Sequence, residues 1–242
     1  MNRTQPSRPA TGIGVAIFVK TPGRSPIKTR LAAETGEDFA LSWHRRAAAA
    51  VAAVARDSEQ RAPIDTPVRA YWAVAEAAAI EEGDWPGLTN LAQEEGSLGE
   101  RMARVYAQLL DRHRAGILIG ADTPQIDADL LLSAAAWLDS EIDRFAIGPA
   151  RDGGFWLFGG NRPVPMAVLT GVAYSRADTE RRLSEKLIEL GAARRLPVLS
   201  DLDIAADLGT VIDELAALDH PLPEQRALAD WLSHKPPSRI TR

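Results

Sequence analysis

An unbroken apolar run, Ile13 to Val19 (IGVAIFV), is the first ordered element that the pattern of the chain predicts. A short, continuous run rich in β-branched residues fits a strand covered on both faces. An alanine-rich stretch from about Gly36 to Asp57 predicts a long helix. The next strand is Pro67–Val74 (PVRAYWAV), followed by a short helix in EAAAIEE and a turn over Gly83–Pro86. LTNLAQEE holds a further short strand and then a loop. From Leu98 to His113 the apolar residues Leu98, Met102, Val105 and Leu109 recur at helical spacing. Ala115–Gly120 (AGILIG) is a second buried strand, and Asp127–Leu138 is helical. Arg144–Ala150 and Gly154–Gly160 are strands separated by Arg-Asp-Gly. A helix over Asp178–Leu190, a strand entering a loop over Ala193–Asp203, and helices at Ala205–Leu218 and Pro223–Leu232 complete the pattern.

Strands alternating with helices predict an α/β domain with a mostly parallel sheet covered on both faces. No repeat or low-complexity linker divides the chain. A single domain is therefore expected over 13–234, between tails at 1–12 and 235–242. Binding sites of such sheets lie beyond the carboxyl ends of the strands. The loops that follow strands are thus the places to look for chemistry.

Composition narrows the field. The 242 residues carry a net charge of -5, which argues against a general nucleic-acid binder. The absence of cysteine excludes disulfides, thiolate catalysis and cysteine-ligated zinc. The four histidines, His44, His113, His220 and His234, show no metal-ligand spacing. No secretory signal and no membrane-spanning run is evident, so a soluble cytoplasmic protein is expected.

The first post-strand loop, VKTPGRSPIKTRLA, is basic and stiff. Lys20, Arg24, Lys28 and Arg30 suit phosphate oxygens. Gly23 permits close backbone approach, while Pro22 and Pro26 restrict the loop before a ligand arrives. It is not a P-loop. With Lys28 as the phosphate lysine, glycines are required where Pro22 and Ile27 stand. The dinucleotide fingerprint G-x-G-x-x-G does not follow the strand either. A solvated basic loop is the alternative to anion binding.

Later loops are acidic. IGADTP places Asp122 two residues past a buried strand, where it can ligate Mg²⁺ or Mn²⁺ or else cap a helix, a role for which Asp127 competes. Asp152 lies in Asp-Gly-Gly between two strands, which is equally a hairpin turn signal. Phe155 and Trp156 behind it face opposite sides of their strand. Asp201 and Asp203 in SDLDIAADL can cap the next helix or assist a cation. The surroundings of Ser97 do not match G-x-S-x-G, so no serine hydrolase elbow is present. A basic loop and several acidic loops at one sheet edge suggest a nucleotide phosphate held through a metal.

The motifs FVKTPGRSPIKTRLA, EGSLGERM, IGADTP, DGGFWLFG, YSRADTERRL and DLDIAADL, in this order, resemble a bacterial family of GT-A-like glycosyltransferases. That family is known as a domain of unknown function or as arsenosugar-biosynthesis glycosyltransferase-like. It is distantly similar to phospholactate and molybdenum-cofactor guanylyltransferases. The resemblance covers about residues 13–210. It implies a nucleotide-diphospho-sugar transferase fold, a three-layer α/β/α sandwich. It implies that Lys20, Lys28 and Arg30 face the nucleotide, with Pro22, Gly23 and Arg24 in the same loop. Gly96, Ser97, Leu98 and Arg101 would border the base or ribose. Asp122 is the implied metal ligand. ADTP is not a full Asp-x-Asp, so a second ligand must come from elsewhere, and Asp203 is taken for it. Asp152 would lie near the acceptor, and Lys28 and Asp152 are the expected catalytic pair.

The leading expectation is a metal-dependent transferase using a nucleotide-activated donor, most readily a nucleotide sugar, with a small-molecule acceptor and Mg²⁺ or Mn²⁺ as cofactor. The alternative is a nucleotidyltransferase that releases pyrophosphate, with Arg151 or Arg176 holding an acceptor phosphate. A non-catalytic nucleotide-binding protein is a third expectation, and it predicts one carboxylate near the phosphates. A homodimer is left open.

Overall fold

A computed structural model describes residues 12–234, and the two expected tails lie outside these residues except for Gly12. The chain runs β1 (Ile13–Val19), α1 (Thr29–Thr35), α2 (Glu37–Arg61), β2 (Val68–Val74), α3 (Ala77–Glu81), β3 (Thr89–Ala92), α4 (Leu98–Leu110) and β4 (Ala115–Gly120). It continues with α5 (Ala128–Leu138), β5 (Arg144–Pro149), β6 (Phe155–Gly160), α6 (Met166–Thr170), α7 (Thr179–Ile188) and β7 (Ala192–Arg195). A 3₁₀ turn (Ala205–Asp207), α8 (Leu208–Ala216) and α9 (Pro223–His234) follow. The short helices α1 and α6 are additions to the sequence pattern. With seven and five residues they are too short for a hydrophobic period to show.

The seven strands form one sheet in the order β3-β2-β1-β4-β6-β5-β7. β1 is parallel to both β2 and β4, with Ile17 opposite Trp72 on one side and Ile119 on the other. β6 is the antiparallel strand, inserted between β4 and β5. Its hairpin with β5 turns at Asp152-Gly153, where Gly153 has φ of 88°. A Cβ there would lie 2.2 Å from the Ala177 carbonyl, so only glycine fits the turn as built. Because β6 starts where β5 ends, the hairpin tip sits at the same edge as the carboxyl ends of the parallel strands.

Side-chain alternation along β1 explains the layers. Ile13, Val15, Ile17 and Val19 pack with Ala48, Val51, Ala52 and Ala55 of α2 and with Leu131 and Leu138 of α5. Ala16 faces the other way, into a core built from Met102, Val105 and Leu109 of α4, Leu169 of α6 and Leu183 of α7. The alanines of α2 let that long helix lie close to the sheet. A third cluster joins Leu31 of α1 and Trp43 of α2 to Leu202, Val211 and Leu228. The result is the expected three-layer α/β/α sandwich. No helix among the described residues is long and apolar enough to cross a membrane.

The β1 crossover leads to β2 on one side, and β4 lies on the other. The strand order therefore diverges between β1 and β4. At such a divergence the crossing segments part and leave a crevice at the carboxyl edge.

Ile117 is fully buried in the middle of β4. Ile117→Ala is expected to cost about 2–5 kcal/mol, seen as a lower denaturation midpoint with an unchanged m-value. An unchanged midpoint would contradict the placement of β4 at the centre of the sheet.

Candidate functional site

The crevice holds two adjoining cavities of about 620 Å³ and about 340 Å³. Phe18, Leu98, Gly120, Asp122, Ser175 and Asp203 line both, so the two spaces share a rim. Lys20, Lys28, Arg30 and Arg101 line the larger one, together with His44 and Gln93. Asp152 and Asp201 line the smaller one with Phe155, Trp156 and Tyr174. Charge is thus segregated: every cationic side chain is on one side of the rim.

Lys28 is the hinge of this arrangement. Its backbone has φ 44° and ψ 46°, at the start of α1. A left-handed lysine costs about 1–2 kcal/mol, and here it aims the side chain inward. Its ammonium lies 2.8 Å from Asp122 Oδ2 and 2.8 Å from Asp203 Oδ1, and the side chain is only 7% exposed. Burial lowers its pKa, but Asp122 and Asp203 outweigh burial and the net shift is upward. For Asp122 burial acts upward, yet attraction to Lys28 and the hydrogen bond from it hold the carboxyl well below its usual range. Lys28 and Asp122 therefore do not stand on opposite lips of the cleft, as an ion bridging them would require; they touch. Arg30 also donates to Asp203, through its Oδ2.

Two other non-glycine residues among those described share the positive φ of Lys28, Glu94 (φ 61°) and Ser175 (φ 58°). Lys28 and Ser175 line the larger cavity, and Glu94 follows its lining residue Gln93. Strained backbone of this kind persists where surrounding structure holds it in place, and it concentrates at binding sites.

The first part of the basic loop has a different task. Thr21 N–H donates to Glu76 Oε2 at 3.0 Å, and Ser25 donates to the other oxygen of the same carboxylate. Arg24 pairs with Glu82 and with Asp84, the latter at 3.0 Å. The Trp85 indole donates to Thr21 Oγ1 at 2.9 Å. Pro22, Gly23 and Arg24 do not line either cavity; Arg24 ties the loop to the segment after α3, while Thr21 and Ser25 tie it to Glu76 before α3. On α4, Ser97 and Glu100 form a reciprocal capping box. Ser97 is spent on that cap, and neither it nor Gly96 lines a cavity. Arg101 reaches the cavity with its Nε hydrogen on the Gly96 carbonyl at 2.8 Å.

Asp152, Asp201 and Asp203 each place a carboxylate oxygen within 4.8 Å of the others. Burial, and then repulsion from Asp152 and Asp203, pushes the Asp201 carboxyl up to about 6, with Lys28 opposing. A cation would relieve this repulsion, and three hard oxygens suit Mg²⁺ or Mn²⁺. Asp122 lies outside this group, its oxygens facing Lys28 and, at 3.8 Å, His44 Nδ1; Asp203 belongs to it while also pairing with Lys28 and Arg30. Asp127 is the cap of α5, accepting from Leu130 N–H at 2.7 Å.

Two lining residues had no signal in the sequence. His44 is buried on α2; its Nε2 lies 2.9 Å from the Lys20 carbonyl, which fixes that nitrogen as the donor. Gln93 donates to the carbonyls of Val19 and Ala73 at 3.2 and 2.7 Å. Neither belongs to a spacing motif. Only the packing of α2 against β1 and the pairing of β3 with β2 bring them in.

Residues 58–176 match the family described as "Uncharacterized protein conserved in bacteria (DUF2064)". The resemblance seen in the motifs therefore holds. The matched stretch contains Gln93, Asp122 and Asp152, while Lys28 and Asp203 flank it. No curated protein matches the sequence. Among solved structures, a "putative nucleotide-diphospho-sugar transferase" from Desulfovibrio desulfuricans G20 is similar with a TM-score of 0.77 and 24% identity, over 93% of this chain and 96% of that one. A nucleotidyl transferase from Methanothermobacter has a TM-score of 0.52 and 9% identity, over 93% and 100% of the two chains. Rv0371c from Mycobacterium tuberculosis H37Rv has a TM-score of 0.50 and 13% identity, over 84% and 99%. At these identities the shared property is the fold.

The loop carrying Asp201 is held by Glu214. That carboxylate accepts from Ser200 N–H at 3.0 Å, Ser200 Oγ at 2.9 Å, Gln125 Nε2 at 2.8 Å and Arg151 Nε at 3.2 Å. Burial acts upward on its pKa, but the Ser200 bonds and then those of Gln125 and Arg151 bring it below the ordinary 4.5. A depressed folded-state value means that the charge stabilises the fold fully above the unfolded pKa and that this contribution fades as pH falls through the folded one. Glu214→Gln is expected to cost about 1–3 kcal/mol at neutral pH, with the gap to wild type closing as the pH falls below the ordinary carboxylate range. Thermal melts across this range check it; a gap independent of pH would show that the charge contributes nothing.

Proposed function

We propose that this protein is a cytoplasmic transferase that uses a nucleotide-activated donor, a nucleotide sugar, with Mg²⁺ or Mn²⁺. The observation that carries the proposal is the shared rim: a cavity lined by Lys20, Lys28, Arg30 and Arg101 meets the carboxylates of Asp152, Asp201 and Asp203 at the topological switch point. The folds of a nucleotide-diphospho-sugar transferase and a nucleotidyl transferase are compatible with it.

Lys28 and Arg30 are neutralised by Asp122 and Asp203. A divalent cation and a diphosphate bring opposite charges. With both bound, Asp203 would turn from Lys28 and Arg30 to the cation, and the two cationic side chains would turn to the diphosphate, so that no buried charge is left alone while Lys28 keeps Asp122. Asp201 and Asp203, with Asp152 beside them, would hold the cation, which would stabilise negative charge developing on the leaving diphosphate. Lys20 and Arg101 bind outer phosphate oxygens, and Lys28 is fixed by Asp122 for the inner ones. Asp152, the most exposed of the three carboxylates, takes the proton of the acceptor hydroxyl. The acceptor oxygen forms a bond to the anomeric carbon, the bond from that carbon to the phosphate oxygen breaks, and its electron pair leaves with the nucleoside diphosphate.

Three clustered carboxylates weigh against a purely nucleotide-sensing role, for which one was expected. Thermal shifts with UDP-, GDP- and CDP-sugars and Mn²⁺ test the proposal. At least one nucleotide is expected to raise the Tm, and Arg101→Ala to weaken its binding roughly tenfold, about 1.4 kcal/mol. Asp201→Asn is expected to lower turnover by about 10²-fold or more. If no nucleotide stabilises the protein, the proposal fails. Release of pyrophosphate from GTP or CTP would replace it with nucleotidyl transfer.

A further inference from the structure

The smaller cavity has a chemistry of its own. Its charged lining is Asp122, Asp152, Asp201 and Asp203, and no lysine, arginine or histidine is among the described residues that line it. The rest of its wall is largely apolar, with Phe18, Leu98, Met102, Phe155 and Tyr174. The aromatic residues turn their polar tips away. The Tyr174 hydroxyl donates to the Leu169 carbonyl at 2.9 Å, and the Trp156 indole donates to the Pro197 carbonyl at 3.1 Å. What they offer the cavity is ring surface, suited to the apolar face of a ligand. Leu98, at the mouth, is 46% exposed.

The two arginines expected to bind an acceptor phosphate are engaged elsewhere. Arg151 donates to Ser200 and Glu214, and Arg176 to Asp178. Neither lines this cavity. Lys28 and Arg30 offset Asp122 and Asp203 from the neighbouring space, whereas Asp152 and Asp201 have no ion pair among the described residues; with no divalent cation bound, a phosphate placed here meets these two carboxylates and no cation of the wall, a juxtaposition of like charge that disfavours it. A hydroxyl, in contrast, finds acceptors in the same carboxylates, and hydroxyls of Thr123 and Ser175 also line the space. A volume of about 340 Å³ suits a small molecule.

We propose that this cavity is the acceptor subsite and that it selects an uncharged, hydroxyl-bearing molecule with an apolar face, excluding phosphorylated acceptors. Its role as acceptor subsite rests on the donor reading above; its preference for uncharged ligands does not.

The test compares benzyl alcohol with benzyl phosphate, two probes with the same ring, by saturation-transfer NMR on the full chain without divalent cation, because an ion on Asp152, Asp201 and Asp203 would offset the charge under test. UDP binding is followed separately by thermal shift. Benzyl alcohol is expected to bind, and benzyl phosphate to bind roughly tenfold or more weakly. Phe155→Lys, inside the cavity, is expected to narrow or reverse that ratio. Leu98→Lys, on the exposed first turn of α4, is expected to act in the same direction in a variant that keeps its fold. Benzyl phosphate binding as tightly as the alcohol, no binding of the alcohol, or a ratio unmoved by both variants would each overturn the proposal. Loss of UDP binding with the ratio intact would instead overturn the donor reading and leave the selectivity of the cavity standing.

Discussion

One buried ammonium organises the functional edge of this protein. Lys28 comes from the loop after β1, Asp122 from the loop after β4, and Asp203 from the segment before α8, 175 residues away from Lys28 in sequence. Removing any of the three from water is costly unless all meet. Because the lysine is nearly sealed and the two carboxylates are not, the triad closes the bottom of the cleft and leaves anionic oxygen toward its rim. The left-handed backbone at Lys28 follows from the same demand. An ordinary helical start would point the side chain elsewhere, so the local strain is balanced by two ion pairs.

From this anchor the cleft divides by charge. Basic residues line the space on the β1 side, and four carboxylates line the space under the β5–β6 hairpin. Opposite potentials side by side suit a ligand that is anionic at one end and neutral at the other. Nucleotide sugars have that shape. The surrounding framework keeps the two halves in register: Glu76 and Asp84 fix the start of the basic loop, and Glu214 fixes the strand-like segment that carries Asp201. The arginine that looked most suited to phosphate, Arg24, belongs to this framework.

The three-layer architecture of the chain is shared with transferases whose sequences differ from it at three-quarters or more of the aligned positions. Such divergence is tolerated because a parallel sheet needs only apolar strands and covering helices of the right period. The chemistry resides in the loops at one edge, which vary without disturbing the core.

The sequence by itself determined the α/β class, the strands β1, β2, β4, β5 and β6, most helices, and the edge at which to look. These follow from local rules: period, β-branching, turn residues and caps. It also singled out Lys28, Asp122, Asp152 and Asp203, because charged residues directly after buried strands stand out. The antiparallel insertion of β6 required the tertiary structure, since a hairpin signal does not reveal which neighbour its second strand will find. His44 and Gln93 were silent, as a lone polar residue on a long helix or at a strand end carries no period. That Lys28 and Asp122 pair directly, that Asp201 joins Asp152 and Asp203, and that Arg24 turns outward were likewise decided by folding alone. Electrostatic partners are chosen by distance in space, and the distances between loops depend on the order in which strands pair, which no local pattern encodes.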